Sequence, residues 1–219
     1  RYLKQQVDNV EIHFATKQKH APILNSNPYI DKIHVLGENI NDLIVELQEE
    51  KLDYIIDLHQ NFRSNRIKRR LKLPAFSFNK LNFQKFLLIQ FKINKLPDKH
   101  IVDRYLETLL TFDVKNDGKG LDHFIPENEA FKVADLPVNF QKGFVAFVIA
   151  GTYTTKKLPV SKVSEICKEI EFPVILLGGK NEFDEGEKIL SQSKGNVLNY
   201  AGKISLNESA SLVRRATIV

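Results

Sequence analysis

The sequence predicts an α/β protein made of two parallel-sheet halves, each incomplete. Two observations predict it. Short β-rich runs alternate with helix-period segments, the pattern of parallel strands joined by crossover helices. The alternation then breaks at a polar, glycine-containing stretch at 116–120, followed by Pro126 and Pro137, and restarts beyond it. The expected halves are residues 1–125 and 126–219.

In the first half the strand candidates are residues 10–15, 32–36, 54–58 and 75–78. Segments 18–25, 40–51 and 64–71 between them are helical by composition and spacing. Ile40, Leu43, Ile44 and Leu47 form one apolar stripe on the second of these. Residues 81–95 interleave Phe, Leu and Ile with Lys and Gln, which reads as a core-covering helix with snorkelling lysines, or as an excursion across the surface. Residues 99–112 read as one helix with Ile101, Tyr105, Leu109 and Phe112 on a face. In the second half, strand 144–149 leads to a helix opened by Pro159 and carrying Val160, Val163, Ile166, Cys167 and Ile170. Strand 173–177 ends in Gly178-Gly179, a helix covers about 184–192, and a short strand spans 196–198. Ser205 and Glu208 have capping-box spacing at the start of a helix with Leu206, Ala210 and Val213, and Thr217-Ile218-Val219 begins a further strand.

With 219 residues, 42% of them hydrophobic, the chain can fill two ordinary cores. No apolar run approaches the roughly 20 residues of a membrane-spanning helix, and no basic-then-apolar leader opens the chain. The single cysteine, Cys167, falls on the apolar face of its helix and reads as a small buried hydrophobe. The chain has no Met, opens Arg1-Tyr2-Leu3 and ends inside an apolar run, so it reads as the middle of a longer protein. The net charge of +5 is concentrated, with Arg63, Arg66, Lys68, Arg69, Arg70 and Lys72 within ten residues. Such a run is either a solvated helix face or a surface for nucleic acid, anionic lipid or a phosphorylated saccharide. It lacks aromatics interleaved for base stacking, which argues against nucleic acid. His59 and His100 have no second His or Cys at ligand spacing, so no metal site is expected.

Three loops carry the chemistry. In an open α/β sheet a ligand sits outside the carboxyl ends of the strands, where helix N-termini offer free N–H groups to an anion. The first loop, 151–157, supplies Gly151, Thr152, Lys156 and Lys157. It has neither P-loop nor G-x-G-x-x-G spacing, so a solvated βα loop remains the plain alternative. The second, Gly178-Gly179-Lys180-Asn181-Glu182, pairs a tight turn with a carboxylate suited to a ribose hydroxyl. The third, Ala201-Gly202-Lys203-Ile204-Ser205, brings Lys203 to a helix N-terminus.

In this order and spacing, Val148-Ile149-Ala150-Gly151, Lys156-Lys157-Leu158-Pro159, Leu176-Leu177-Gly178-Gly179 and Ala201-Gly202-Lys203-Ile204-Ser205-Leu206 resemble the donor half of the lipopolysaccharide heptosyltransferases, family 9 of the glycosyltransferases. Tyr29-Ile30-Asp31-Lys32, Asp57-Leu58-His59-Gln60-Asn61-Phe62-Arg63-Ser64 and His100-Ile101-Val102-Asp103-Arg104-Tyr105 resemble its acceptor half. The resemblance implies a GT-B fold of two Rossmann-like domains, acceptor-binding then donor-binding, and metal-independent inverting transfer of heptose from an ADP-activated donor. It implies a phosphorylated, Kdo-bearing lipid A core as acceptor, no cofactor and a cytoplasmic enzyme, with a transferase of the same fold using another nucleotide sugar as the alternative; the basic run 63–72 then has a partner in the anionic head of the acceptor or in the inner membrane leaflet. Lys156 matches the phosphate-binding Lys of the family's Lys-x-Trp-Pro pattern, with Leu158 where Trp is usual. Thr152 falls among the diphosphate-binding hydroxyls and Glu182 at a carboxylate near the ribose. Asn61, Arg63, Arg66, His100 and Arg104 are the acceptor-binding candidates. The family's catalytic base is expected before Arg1 and its Asp-Thr-Gly loop after Val219, so these residues alone are expected to be inactive. Asp57 lies in a strand-like run, and Asp103 is expected to pair with Arg104, so neither is nominated as base.

Overall fold

The structure, a computed structural model, describes residues 1–193 and 195–219. It divides into two compact units, Arg1–Phe124 and Ile125–Val219.

The first unit runs α1 (Tyr2–Gln6), β1 (His13–Lys17), β2 (Lys32–Leu36), α2 (Ile40–Glu49), β3 (Ile55–Asp57), α3 (Phe62–Leu71), β4 (Ala75–Ser77), α4 (Asn82–Phe91) and α5 (Ile101–Leu106). Its described strands form two parallel pairs, β1 with β2 and β3 with β4. The stripe on α2 is buried as its spacing requires, at Leu43, Ile44 and Leu47, and Asn39 caps the helix by accepting from the Asn41 N–H. The stretch 116–122 belongs to this unit, where Asp117, Gly120 and Asp122 accept from the Arg1 guanidinium.

Four local expectations change. The 18–25 helix is a 3₁₀ turn, Gln18–Ile23, because Pro22 has no N–H to give an α-helical ladder. The first strand starts at His13, since the backbone of 10–12 is bonded to Lys4 and Asp31 instead. The 99–112 helix is α only to Leu106 and then tightens into a 3₁₀ turn, Glu107–Phe112. The fourth correction is α4, which covers no core and has no buried residue. Its apolar residues run round the helix instead of down one stripe, leaving Phe83 and Ile89 about two-thirds exposed, at 68% and 64%.

The second unit runs α6 (Val138–Gln141), β5 (Val145–Val148), α7 (Val160–Glu169), β6 (Val174–Leu177), α8 (Phe183–Ser191), β7 (Val197–Asn199) and α9 (Leu206–Arg215). Its sheet is parallel in the order β5-β6-β7. Both faces of β6 are covered, which is why all four residues of Val-Ile-Leu-Leu are apolar and buried. Val174 and Leu176 pack with Val163 and Cys167 of α7 and Ile189 of α8. Ile175 and Leu177 pack on the other face with Phe140 of α6 and Leu212 of α9. Cys167 is thus the buried hydrophobe its spacing implied, and burial pushes its thiol pKa up. Beyond α9 the chain returns to the free edge of β5, where Ile218 bridges Val145 in parallel.

Candidate active site

That return fixes where a ligand can enter the second unit. From β5 the chain winds outward through β6 and β7, then crosses back to the opposite side of β5 at Ile218. Strand order therefore reverses at β5, and the crevice of a doubly wound sheet opens outside the carboxyl ends at such a reversal. The loop leaving β5 there is the one that contains Gly151, Thr152, Lys156 and Lys157.

The loops after β5, β6 and β7 are braced against one another. Lys157 reaches from the first loop to Glu182 Oε1 at 3.2 Å and Glu185 Oε2 at 2.7 Å. Hydrogen bonding to Glu185 and then Glu182 outweighs burial and raises the Lys157 pKa. Glu182 Oε2 also accepts from the Gly179 N–H at 3.0 Å, so one carboxylate joins the first two loops. Gly151 lets Lys157 pass, since a Cβ there would lie 2.7 Å from Lys157 Cγ. In the third loop Gly202 has φ +69° and sits where a Cβ would fall 2.9 Å from Lys180 Cα, so both conformation and contact require glycine. Its N–H donates to the Gly178 carbonyl at 3.0 Å. Lys203 pairs with Glu187 Oε1 at 2.9 Å, a bond that, with one from Asn199, lowers the Glu187 pKa.

These braces sort the lysines. Lys157 and Lys203 are committed to carboxylates. Lys156 is exposed, with its Nζ 5.6 Å from the Tyr153 ring centroid and no carboxylate partner among the described residues. Thr152 is exposed in the same loop. α7 follows Pro159 with no side-chain cap; the Lys162 N–H is taken by the Pro159 carbonyl, and those of Val160 and Ser161 are open to an anion. Sequence reasoning passed over Lys180, exposed and without a carboxylate partner among the described residues, although its position directly after Gly178-Gly179 was the available signal.

In the first unit, several candidates hold structure. Asn61 forms a capping box with Ser64 at the start of α3. Arg66 donates to Asn41 Oδ1 at 2.9 Å, and His100 caps α5 by accepting from the Val102 N–H at 3.3 Å. Arg104 donates to the Asn79 carbonyl at 2.7 Å and lies over the Phe78 ring, while Asp103 accepts from Asn116 at 2.8 Å. The expected Asp103–Arg104 ion pair is therefore absent among the described residues: each side chain has a longer-range partner. Arg63 is exposed. Lys68 turns inward, 2.7 Å from Asp57 Oδ2. Asp57 is buried and also accepts from the N–H groups of His59 and Gln60. So held, it is a poor proton acceptor.

The chain's fold is similar to that of the crystal structure of a family 9 glycosyltransferase from Veillonella parvula DSM 2008, with a TM-score of 0.77 at 18% identity over 98% of this chain and 67% of that one. It is similar to E. coli ADP-heptose LPS heptosyltransferase II, with a TM-score of 0.71 at 15% identity over 99% of this chain and 71% of that one. It is also similar to E. coli heptosyltransferase WaaC with ADP, with a TM-score of 0.65 at 15% identity over 98% and 72%. A comparison with curated protein sequences gave no match. The two α/β units are thus the GT-B type fold these enzymes share. Residues 40–219, spanning part of the first unit and all of the second, match the family model for glycosyltransferase family 9 (heptosyltransferase), and the chain belongs to that family.

Proposed function

We propose that the protein moves heptose, with inversion and without a metal, from an ADP-heptose donor to the phosphorylated inner core of a lipopolysaccharide acceptor. Two of the similar structures are described as an ADP-heptose heptosyltransferase and a heptosyltransferase with ADP, which supports the donor. The observation that carries the reading is Lys156, left without a carboxylate partner among the described residues, on the loop at the point of strand reversal. Its ammonium, the Thr152 hydroxyl and the open N–H groups of α7 can stabilise the charge that develops on the leaving diphosphate. Exposed Gly179 lets the nucleotide approach the backbone, and Gly178 lets Glu182 and Ala201 pack against the turn behind it. Lys157 and Lys203 keep these loops in place through Glu182 and Glu187. Each Glu182 oxygen makes one described hydrogen bond and keeps a further lone pair, which a ribose hydroxyl can use.

The donor reading is tested by titrating the full-length protein with ADP and with UDP. ADP is expected to bind saturably and raise the melting temperature, UDP far less. Absence of any ADP effect would remove the donor assignment.

For the acceptor we propose the first unit, with Arg63, the neighbouring Asn61 and Arg66, and His100 and Arg104 on the acceptor side. The exposed Arg63, Arg69 and Arg70 of α3 suit phosphate, and each basic residue near an anionic surface contributes on the order of 1 kcal/mol. The exposed Phe83, Phe86, Ile89 and Phe91 of α4, beside Lys85 and Lys92, suit the lipid boundary. The proposed contact is peripheral, from the cytoplasmic side; among the described residues no helix is long and apolar enough to cross a membrane. In flotation assays the full-length protein is expected to rise with phosphatidylglycerol vesicles and stay behind with phosphatidylcholine. Equal recovery with both would sink the anionic contact.

A further inference from the structure

Apart from the donor loops, the first unit contains a pair of imidazoles whose hydrogen bonding leaves one positive charge unaccounted for. His13 opens β1 and His34 is the middle residue of β2. The parallel register sets His34 against Ala15, so both rings project from the same face of neighbouring strands. His34 has no exposed surface and the His13 side chain only 6%. Their outer nitrogens are both bound by carboxylates, His13 Nε2 to Glu11 Oε1 at 3.0 Å and His34 Nδ1 to Glu46 Oε1 at 2.6 Å. An ionised carboxylate only accepts, so each outer nitrogen carries its ring's hydrogen and donates it. In neutral rings the inner nitrogens, His13 Nδ1 and His34 Nε2, are then bare lone pairs, and they face each other at 2.9 Å. Two lone pairs at that separation repel, so a proton or a metal ion belongs between them.

Glu50 supplies a third group. It lies just past the carboxyl end of α2, with Oε1 on the Lys32 ammonium and Oε2 directed to His13 Nδ1 at 3.8 Å. Its charge favours either cation, but only a metal can take it as a third ligand. One donor atom from each of His13, His34 and Glu50 lies within 4.8 Å of the others.

We propose that His13 Nδ1, His34 Nε2 and Glu50 Oε2 bind one divalent transition-metal ion, with Zn²⁺ the best match to two imidazoles and a carboxylate. Zinc–nitrogen bonds of about 2.0–2.1 Å put neighbouring nitrogens about 2.9 Å apart in octahedral geometry and about 3.3 Å apart in tetrahedral geometry. The observed N···N spacing of 2.9 Å meets the first and needs a shift of a few tenths of an ångström for the second, while Glu50 Oε2, 3.8 Å from His13 Nδ1, has to move inward for either. Glu11 and Glu46 provide the carboxylate–histidine contacts that orient metal-bound imidazoles. The cation also meets the negative end of the α2 dipole, and three carboxylates there outnumber the one ammonium of Lys32. The site sits at the amino end of β1, away from the strand ends that face a substrate in an α/β sheet. It therefore clips β1, β2 and α2 together and is independent of the donor reading.

The test is a titration of the full-length protein, stripped with a chelator and dialysed, at pH 7.5. One equivalent of Zn²⁺ is expected to bind with micromolar or tighter affinity and to raise the melting temperature, and Co²⁺ to give a visible d–d band. His13→Gln is expected to weaken binding about a hundredfold or more. Glu50→Gln, altering a half-buried position past the helix end, repeats the test should His13→Gln fail to fold. No Zn²⁺ uptake by the stripped protein would mean a shared proton and overturn the site. Uptake undiminished in the folded variants would do the same, by locating the metal elsewhere.

Discussion

Lys156→Ala is expected to lower kcat/KM for the nucleotide sugar about ten- to a hundredfold in the full-length protein, and to weaken ADP binding to a similar degree. A hydrogen bond to a charged group is worth about 1.5–3 kcal/mol, which is that range in rate or affinity. The magnitude rests on Lys156 having no carboxylate partner among the described residues, so that its whole charge is available to a diphosphate. Because the side chain is exposed and its one described interaction is with the Tyr153 ring, the melting temperature is expected to stay close to that of the wild type. This separates loss of a ligand contact from loss of the fold. Steady-state kinetics with ADP titration checks it, and unchanged values would exclude Lys156 from the diphosphate site.

Asp57→Asn is expected to destabilise the protein by about 3 kcal/mol at neutral pH. Asp57 ties three elements together. It ends β3, its carboxylate meets Lys68 of α3, and its carbonyl accepts from the Phe78 N–H just beyond β4. Removing the charge leaves the Lys68 ammonium with the Ser77 hydroxyl but no counter-charge, and breaking a buried pair costs about 3–5 kcal/mol. The lower end applies because the Lys68 side chain keeps 16% of its exposure. Burial alone would raise the Asp57 pKa, but Lys68 and the N–H groups of Gln60 and His59 outweigh it and hold the carboxyl below its ordinary range. A depressed carboxylate pKa contributes stability above the unfolded value, about 3.9, and loses it as pH falls through the folded one. The gap between wild type and variant is therefore expected to be widest above about pH 5 and to shrink below about pH 4. Urea unfolding at pH 7 and pH 3 measures both, and equal stability at pH 7 would remove the pair from the fold's support.

Residues whose role follows from their neighbours along the chain were legible from sequence. The α2 stripe, the Ser205–Glu208 capping box, the burial of Cys167 and the parallel order of the second unit all follow from spacings of a few residues. Thr217-Ile218-Val219 read as the start of a strand for the same reason, and Ile218 bridges β5. The first two loops share a rim because consecutive parallel strands tend to be neighbours, as β5 and β6 are. Two of the errors share a cause. For α4, composition said apolar helix, but only the packed structure shows that no residue of it is fully buried and that Phe83, Phe86, Ile89 and Phe91 stay exposed. For Asp103 and Arg104, adjacency argued for a pair, while partners 13 and 25 residues away won both side chains.

The sequence by itself determined the α/β class, the two-part organisation of the alternation, and the residue types on the three donor loops, because strand and helix periods and turn residues act locally. Only the tertiary structure decided which of those charges stay available. Lys156 and Lys157 are adjacent and chemically identical, yet Glu182 and Glu185, arriving from the next strand and helix, neutralise one and leave the other. In the same way His13 and His34, 21 residues apart, become a site only when parallel pairing brings their rings to 2.9 Å. Charge pairing depends on distances of a few ångströms between segments far apart in sequence, and chain spacing does not encode those distances until the strands are in register.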